Sequence, residues 1–160
     1  CNSAFATIGL TLNPTDFTKL CNHLLFNKKL PTEYPSAKSK FHLDENSSTA
    51  SIMEASIGQE KTTVSPLHMA LISSAIANNG ILMNTQVIDH TTNAKEVGVK
   101  SFDSKEYGRL FTNAQASILQ DFMRETVLTG TAKALKNNQY EAFGKTGSAQ
   151  VSDSSDATHS

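Results

Sequence analysis

Phe143-Gly144-Lys145-Thr146-Gly147-Ser148-Ala149 is the stretch on which the reading of this chain turns. It sets one cation, two hydroxyls and two glycines inside a run, Tyr140 to Val151, whose composition predicts a strand. Two chemistries use such a run. A phosphate-binding loop needs a glycine where Gln139 stands and a helix opening at the Lys-Thr pair, so that backbone N–H groups surround the phosphates. Gln139 denies that loop its tight turn, and Gly147, directly after Thr146, is a poor residue with which to start a helix. The other chemistry is an extended edge that grips a peptide. Gly147 lets a substrate backbone lie against the strand, Lys145 brings positive charge to a peptide carboxylate, and the Thr146 and Ser148 hydroxyls hydrogen-bond it.

Upstream of this segment, Ile118, Leu119, Phe122, Met123 and Val127 form an apolar stripe that predicts a core helix over 114–128, with Gly130 as its stop. Thr131 to Leu135 adds a short helical turn. Ile81 to Asp89 and Ala94 to Phe102 carry short β-branched runs that read as strands or extended edges. Ser65-Pro66 opens a helix by capping, with Leu67, Ala70, Leu71, Ser74 and Ala75 on one face and Asn79-Gly80 at its end. Asn13-Pro14-Thr15-Asp16 repeats that logic for a helix ending near Phe26, whose stripe is Phe17, Leu20, Cys21, Leu24 and Leu25. Between them, from Asn27 to about Ser56, Pro31, Pro35 and Asp44-Glu45-Asn46-Ser47-Ser48 read as a long surface excursion. After Val151 the tail Ser152-Asp153-Ser154-Ser155-Asp156 reads as turn or disorder. The order is helix, loop, helix, extended stretch, helix, strand, which predicts one α+β domain.

The 160 residues suffice for one core, and 38% apolar residues support a folded chain with generous polar loops. With 14 basic and 15 acidic residues and no long block of either sign, the chain carries no footprint for nucleic acid. Two cysteines and five scattered histidines match no metal-ligand spacing, so neither a metal nor another cofactor is expected. No apolar run reaches the roughly twenty residues that a bilayer span needs. The chain opens on Cys1 without a methionine, from which we expect a cut inside a larger protein.

A Lys-Thr-Gly element on a strand belongs with a Ser-x-x-Lys nucleophile and a Ser-x-Asn element in penicillin-binding proteins and serine β-lactamases. Other segments extend the match. Cys1-Asn2 stands as the last two residues of Ser-x-Asn, whose serine would precede this chain. Ser56-Ile57-Gly58-Gln59, Val64-Ser65-Pro66-Leu67-His68-Met69-Ala70 and Ile76-Ala77-Asn78-Asn79-Gly80 follow, and Gly130-Thr131-Ala132 precedes the Lys145 segment. In this order the elements resemble the transpeptidase domain of class B, monofunctional penicillin-binding proteins over nearly the whole chain. Ser65 and His68 stand where that family more often has Thr and Gln, and Ser148 replaces the commoner Thr while keeping a hydroxyl.

The resemblance implies helices packed on a partial antiparallel sheet, a fragment of the penicillin-binding protein and serine β-lactamase-like fold. It also implies that the part carrying Ser-x-x-Lys lies upstream of Cys1 and that the last strands lie beyond Ser160. Asn2 would contact the substrate amide and Lys145 would hold the electrostatics of the cleft. Thr146 and Ser148 would grip the carboxylate of a peptidoglycan stem peptide or a β-lactam beside Gly147, and the Ser148 N–H would form half of an oxyanion hole. Within the chain, Ser36-Ala37-Lys38 and Ser104-Lys105 miss the nucleophile spacing. Thr92-Asn93-Ala94-Lys95 has the spacing in a polar segment that reads as solvated turn.

The implied activity is D,D-transpeptidation through an acyl-serine by the parent protein, with this chain alone inactive. A D,D-carboxypeptidase or β-lactamase on the same fold, and a noncatalytic penicillin sensor or interaction module, remain as alternatives. The parent would stand on the extracytoplasmic face of the bacterial membrane, anchored by an N-terminal helix. Exposed sheet edges would favour self-association of the isolated chain. His68 reads as a structural histidine and Cys21 as core, while Cys1 reads as a spectator.

Overall fold

The structure is a computed structural model that describes residues 1–137, 139–147, 149–150 and 158–159. In chain order it contains α1 (Asn2–Gly9), α2 (Pro14–His23), α3 (Thr49–Ser56), α4 (Pro66–Ala77), β1 (Ile81–Met83), β2 (His90–Thr92), β3 (Gly98–Ser101), β4 (Glu106–Arg109), α5 (Asn113–Leu128), a 3₁₀ turn (Lys133–Leu135), β5 (Ala149–Gln150) and β6 (Thr158–His159). The strands among the described residues form three separate two-stranded antiparallel sheets, β1 with β4, β2 with β3 and β5 with β6. The expected α+β class holds.

The capping residues act as their types predict. Asn13 Oδ1 accepts from the Asp16 N–H at 3.1 Å, and Ser65 Oγ accepts from the His68 N–H at 3.2 Å. Thr112 and Gln115 close a reciprocal capping box on α5, with bonds of 3.2 and 2.9 Å.

Two apolar clusters form the core. Leu25, Leu30, Leu71, Ala75, Leu82 and Leu110 join α4 to the β1–β4 pair. Cys21, Phe41, Leu43 and Ala55, flanked by Phe17, Phe26 and Ile52, join α2 to α3, with the Phe17 and Phe41 rings 4.9 Å apart. Burial pushes the Cys21 thiol up to about 11, because a thiolate loses its hydration there. The folded state therefore holds this proton longer than the unfolded chain, whose value is 9.0. That contribution to stability is complete below pH 9 and is lost as pH rises through about 11. At pH 8 iodoacetamide should modify the exposed Cys1 in the native chain and both cysteines after denaturation, read by mass spectrometry. Native modification of Cys21 would mean that the second cluster opens.

Several expectations need correction. The segment 27–56 is no surface excursion: Leu30, Ser39, Phe41 and Leu43 are buried in it, and its last eight residues are α3. Ser39, Phe41 and Leu43 alternate inward from an extended backbone, a period-two signal that the prolines and polar neighbours obscured. Their register is set by Asn27, whose side chain accepts from the Phe41 N–H at 3.1 Å and donates to the Phe41 carbonyl at 2.7 Å. Thr18 does the same for Leu43, donating to its carbonyl at 2.7 Å and accepting from its N–H at 2.8 Å. Lys40 and Thr63 exchange backbone bonds of 2.8 and 3.0 Å on the other side.

Helix α1 was not anticipated. Its first turn has no side-chain cap, and α1 is held instead against α3, where Gly9 meets Ser56 so closely that a Cβ would lie 1.8 Å from Ser56 Oγ.

The buried faces of two helices are also rotated from their expected stripes. On α4 the inward residues are His68, Leu71, Ala75 and Ile76, while Leu67 is exposed. His68 turns the helix, because its Nε2 bonds the Leu24 carbonyl just past the end of α2 at 2.7 Å. On α5, Ala116 and Val127 are buried, but Ile118 and Phe122 are 53% and 67% exposed. Ala116 leaves no bulk at the contact, and Gln120 donates to the Ile76 carbonyl at 2.6 Å, so this polar side chain faces α4 while Ile118 and Phe122 look outward. Of the expected strand over 140–151, the described residues show a ladder only at Ala149–Gln150, and residues 139–147 run without one.

Candidate active site around Lys145

The Lys145 segment is presented by α5 and the turn that ends it. Gly130 closes that turn. Its N–H and that of Thr129 both donate to the Glu125 carbonyl, at 3.1 and 3.0 Å, and Ala132 donates to the Thr126 carbonyl at 3.1 Å. A Cβ at Gly130 would lie 2.8 Å from the Thr126 backbone, so the turn has no room for a side chain. The chain then returns along α5. Glu141 pairs with Arg124 at 2.7 Å, the Arg124 guanidinium lies 5.7 Å from the Phe143 ring centre, and the Gly144 N–H donates to the Met123 carbonyl at 3.1 Å. Phe143 also lines a cavity of about 330 Å³ with Ile76, Ala77, Gln120 and Met123. These contacts fix the segment up to Gly144 and leave the next residues projecting.

Lys145, Thr146 and Gly147 are all exposed. The Lys145 ammonium donates to the Thr146 carbonyl, and no ion pair to it occurs among the described residues. The Thr146 hydroxyl lies 2.8 Å from that of Thr131. A Cβ added at Gly147 would meet no described atom within 4 Å. Among the described residues nothing in the packing requires glycine there, unlike Gly9 or Gly130, so the bare backbone leaves a face open to them beside a cation and a hydroxyl. Ser148, expected to share the carboxylate and to give its N–H, lies outside the described residues.

Asn2 is the exposed first residue of α1, and no hydrogen bond joins it to Lys145 or Thr146 among the described residues. The structure thus gathers Lys145, Thr146 and Gly147 in one projecting segment and places Asn2 on a helix anchored to α3. Sequence reasoning gave no role to Thr131, Arg124 or Glu141; of these only Thr131 stood in a quoted element, and nothing in its spacing announced the contact with Thr146.

His68 is fully buried, edge-on to Phe26 with ring centres 4.8 Å apart, and its Nδ1 has no partner among the described residues. Held by one carbonyl between two helices, it serves the packing. No group of three or more His, Cys, Asp or Glu residues able to hold a metal occurs among the described residues, and no helix there is long and apolar enough to cross a membrane.

The family model for the penicillin-binding protein transpeptidase domain matches residues 1–160. The chain belongs to the penicillin-binding protein transpeptidase family. Among curated relatives, penicillin-binding protein 3 of Bacillus subtilis strain 168 is 26% identical over 155 residues, covering 97% of this chain and 22% of that protein. The peptidoglycan D,D-transpeptidase MrdA of Acinetobacter baumannii is 28% identical over 99 residues, covering 62% of this chain and 15% of its own length. The chain therefore spans less than a quarter of either relative.

Among solved structures, the D,D-transpeptidase domain of a peptidoglycan glycosyltransferase from Eggerthella lenta matches with a TM-score of 0.79 at 22% identity, covering 95% of this chain and 40% of that one. The imipenem acyl-enzyme complex of penicillin-binding protein A from M. tuberculosis matches with a TM-score of 0.80 at 22% identity, covering 94% and 34%. These likenesses establish the transpeptidase fold. In this chain, the elements around Asn2, Gly58, Ser65, Asn79 and Lys145 that suggested the resemblance fall on α1, the end of α3, the start and end of α4, and the segment after α5.

Proposed function

We propose that the protein carrying this chain is a class B serine D,D-transpeptidase of cell-wall peptidoglycan, and that these residues supply its substrate-gripping side. The observation that carries the reading is the Lys145-Thr146-Gly147 segment, held to α5 through Gly144 yet exposed, with an open face at the glycine. A stem peptide would lay its terminal carboxylate against the Lys145 ammonium and the Thr146 and Ser148 hydroxyls. Asn2 would receive the peptide amide, and the Ser148 N–H would donate to the developing oxyanion. The nucleophile belongs to a Ser-x-x-Lys element outside these 160 residues. Its hydroxyl oxygen attacks the carbonyl of the penultimate residue, the peptide C–N bond breaks, and the departing D-alanine amine takes up a proton. The amine of a second stem peptide then attacks the acyl-serine, forms the new amide and returns the serine.

A β-lactam would occupy the same segment through its own carboxylate and stop at the acyl stage. By this reading the protein works on the extracytoplasmic face of the membrane behind an N-terminal anchor, and this chain alone is inactive. The exposed Ile118 and Phe122 and the free edges of the short sheets favour self-association of the chain in isolation.

The protein incubated with a stem peptide ending in D-alanyl-D-alanine and an amine acceptor should release D-alanine and form the cross-linked product. Hydrolysis alone, with the acceptor never incorporated, would make it a carboxypeptidase. No release of D-alanine would overturn the enzymatic reading.

A further inference from the structure

A hydroxyl carries one proton, and the direction in which that proton points decides whether it can serve an anion. Thr146 Oγ1 and Thr131 Oγ1 are 2.8 Å apart, a good distance for a bond between hydroxyls. One of the two must donate. If Thr146 donates to Thr131, only lone pairs face an incoming carboxylate and repel it. If Thr131 donates, the Thr146 proton is free to point outward, and its donation to an anion is strengthened by the bond it accepts.

Thr131 is well placed to act as a fixed partner. It sits between Gly130, in the turn that excludes a side chain, and Ala132, which is buried and whose N–H is held by the Thr126 carbonyl. Thr146 is on the opposite footing. Its segment has no ladder partner, and the last backbone anchor before it is at Gly144. Among the described residues, the Thr131 contact is the side-chain tie that reaches past Gly144 to the rest of the fold.

We propose that Thr131 is a positioning residue for carboxylate recognition: its hydroxyl donates to Thr146 Oγ1, fixes the Thr146 rotamer, and leaves the Thr146 proton for the anion. This rests on the reading of Thr146 given above. Any acyl donor with a terminal carboxylate would depend on Thr131, although Thr131 itself does not touch it.

The test uses the whole protein with penicillin and penicillin methyl ester, measuring second-order acylation rates for the wild type, Thr131→Val, Thr131→Ser, Thr146→Val and the double valine variant. Thr131→Val should slow acylation by the free acid about three- to tenfold, the worth of one hydrogen bond. It should leave the ester rate unchanged, and Thr131→Ser should restore the acid rate. The double variant should be no slower than Thr146→Val alone, because the two hydroxyls act as a unit. Equal slowing of acid and ester by Thr131→Val, or none, with Thr146→Val still selective for the acid, would overturn the role of Thr131 and leave that of Thr146 standing. No effect of Thr146→Val would overturn both. Should Thr131→Val fail to fold, Thr131→Ala carries the same comparison.

Discussion

Gly80→Ala should lower the stability of the fold by about 3 kcal/mol or more, a large part of the 5–15 kcal/mol that holds a domain together. Gly80 has φ +90, and a Cβ there would lie 2.0 Å from the Phe111 carbonyl oxygen and 2.7 Å from its carbon. Both opposing atoms are backbone, so no side chain can turn aside. The surroundings cannot retreat either, because Gly80 donates to Ala75 at 2.7 Å while its carbonyl accepts from Leu110 at 2.8 Å and Phe111 at 3.2 Å. This crossing ties the end of α4 to β4 and to the cluster of Leu71, Leu82 and Leu110. Urea unfolding followed by circular dichroism measures the change. Gly147→Ala is the matched control, since its open face predicts less than about 0.5 kcal/mol, as for ordinary surface changes. An unchanged midpoint for Gly80→Ala would mean that α4 and β4 do not cross as described.

Lys145→Ala in the whole protein should reduce acylation by penicillin about a hundredfold or more without changing the melting temperature. Loss of a single preorganised electrostatic donor costs about two to three powers of ten in sites of this kind. A charge-assisted bond to a carboxylate is roughly twice as strong as a neutral one. Stability should not follow, because the side chain is exposed and its recorded bond is to the neighbouring Thr146 carbonyl. Lys136→Ala removes an equal charge from another exposed position and should leave the rate unaltered. Equal losses from both variants would assign the effect to the general field rather than to a site at Lys145.

The legible parts of this molecule were those where a side chain acts on its own neighbours. Asn13 and Ser65 cap the helices that follow them, so the starts of α2 and α4 could be read directly. The chemistry proposed for Lys145 and Thr146 was equally local, since it rests on adjacent side chains in a segment that is exposed. What could not be read was decided across the fold. Helix α1 has no cap of its own and forms against α3. Asn27 and Thr18 turn the residues around Phe41 and Leu43 into core by serving their backbone polar groups, long-range bonds that the short alternation at 39–43 does not advertise. The outward face of α5 misled for a different reason: an apolar stripe states that burial is favourable, not which neighbour provides it. The Thr131 contact with Thr146 spans fifteen residues and a turn, beyond the reach of spacing rules.

Fluorescent penicillin labelling of the whole protein beside this 160-residue chain, with mass mapping of any adduct, tests most directly that these residues grip the substrate while another segment supplies the nucleophile. The account predicts labelling of the whole protein alone, on the serine of a Ser-x-x-Lys element outside this chain. An adduct on any residue of the chain itself, or no adduct on either protein, would contradict it.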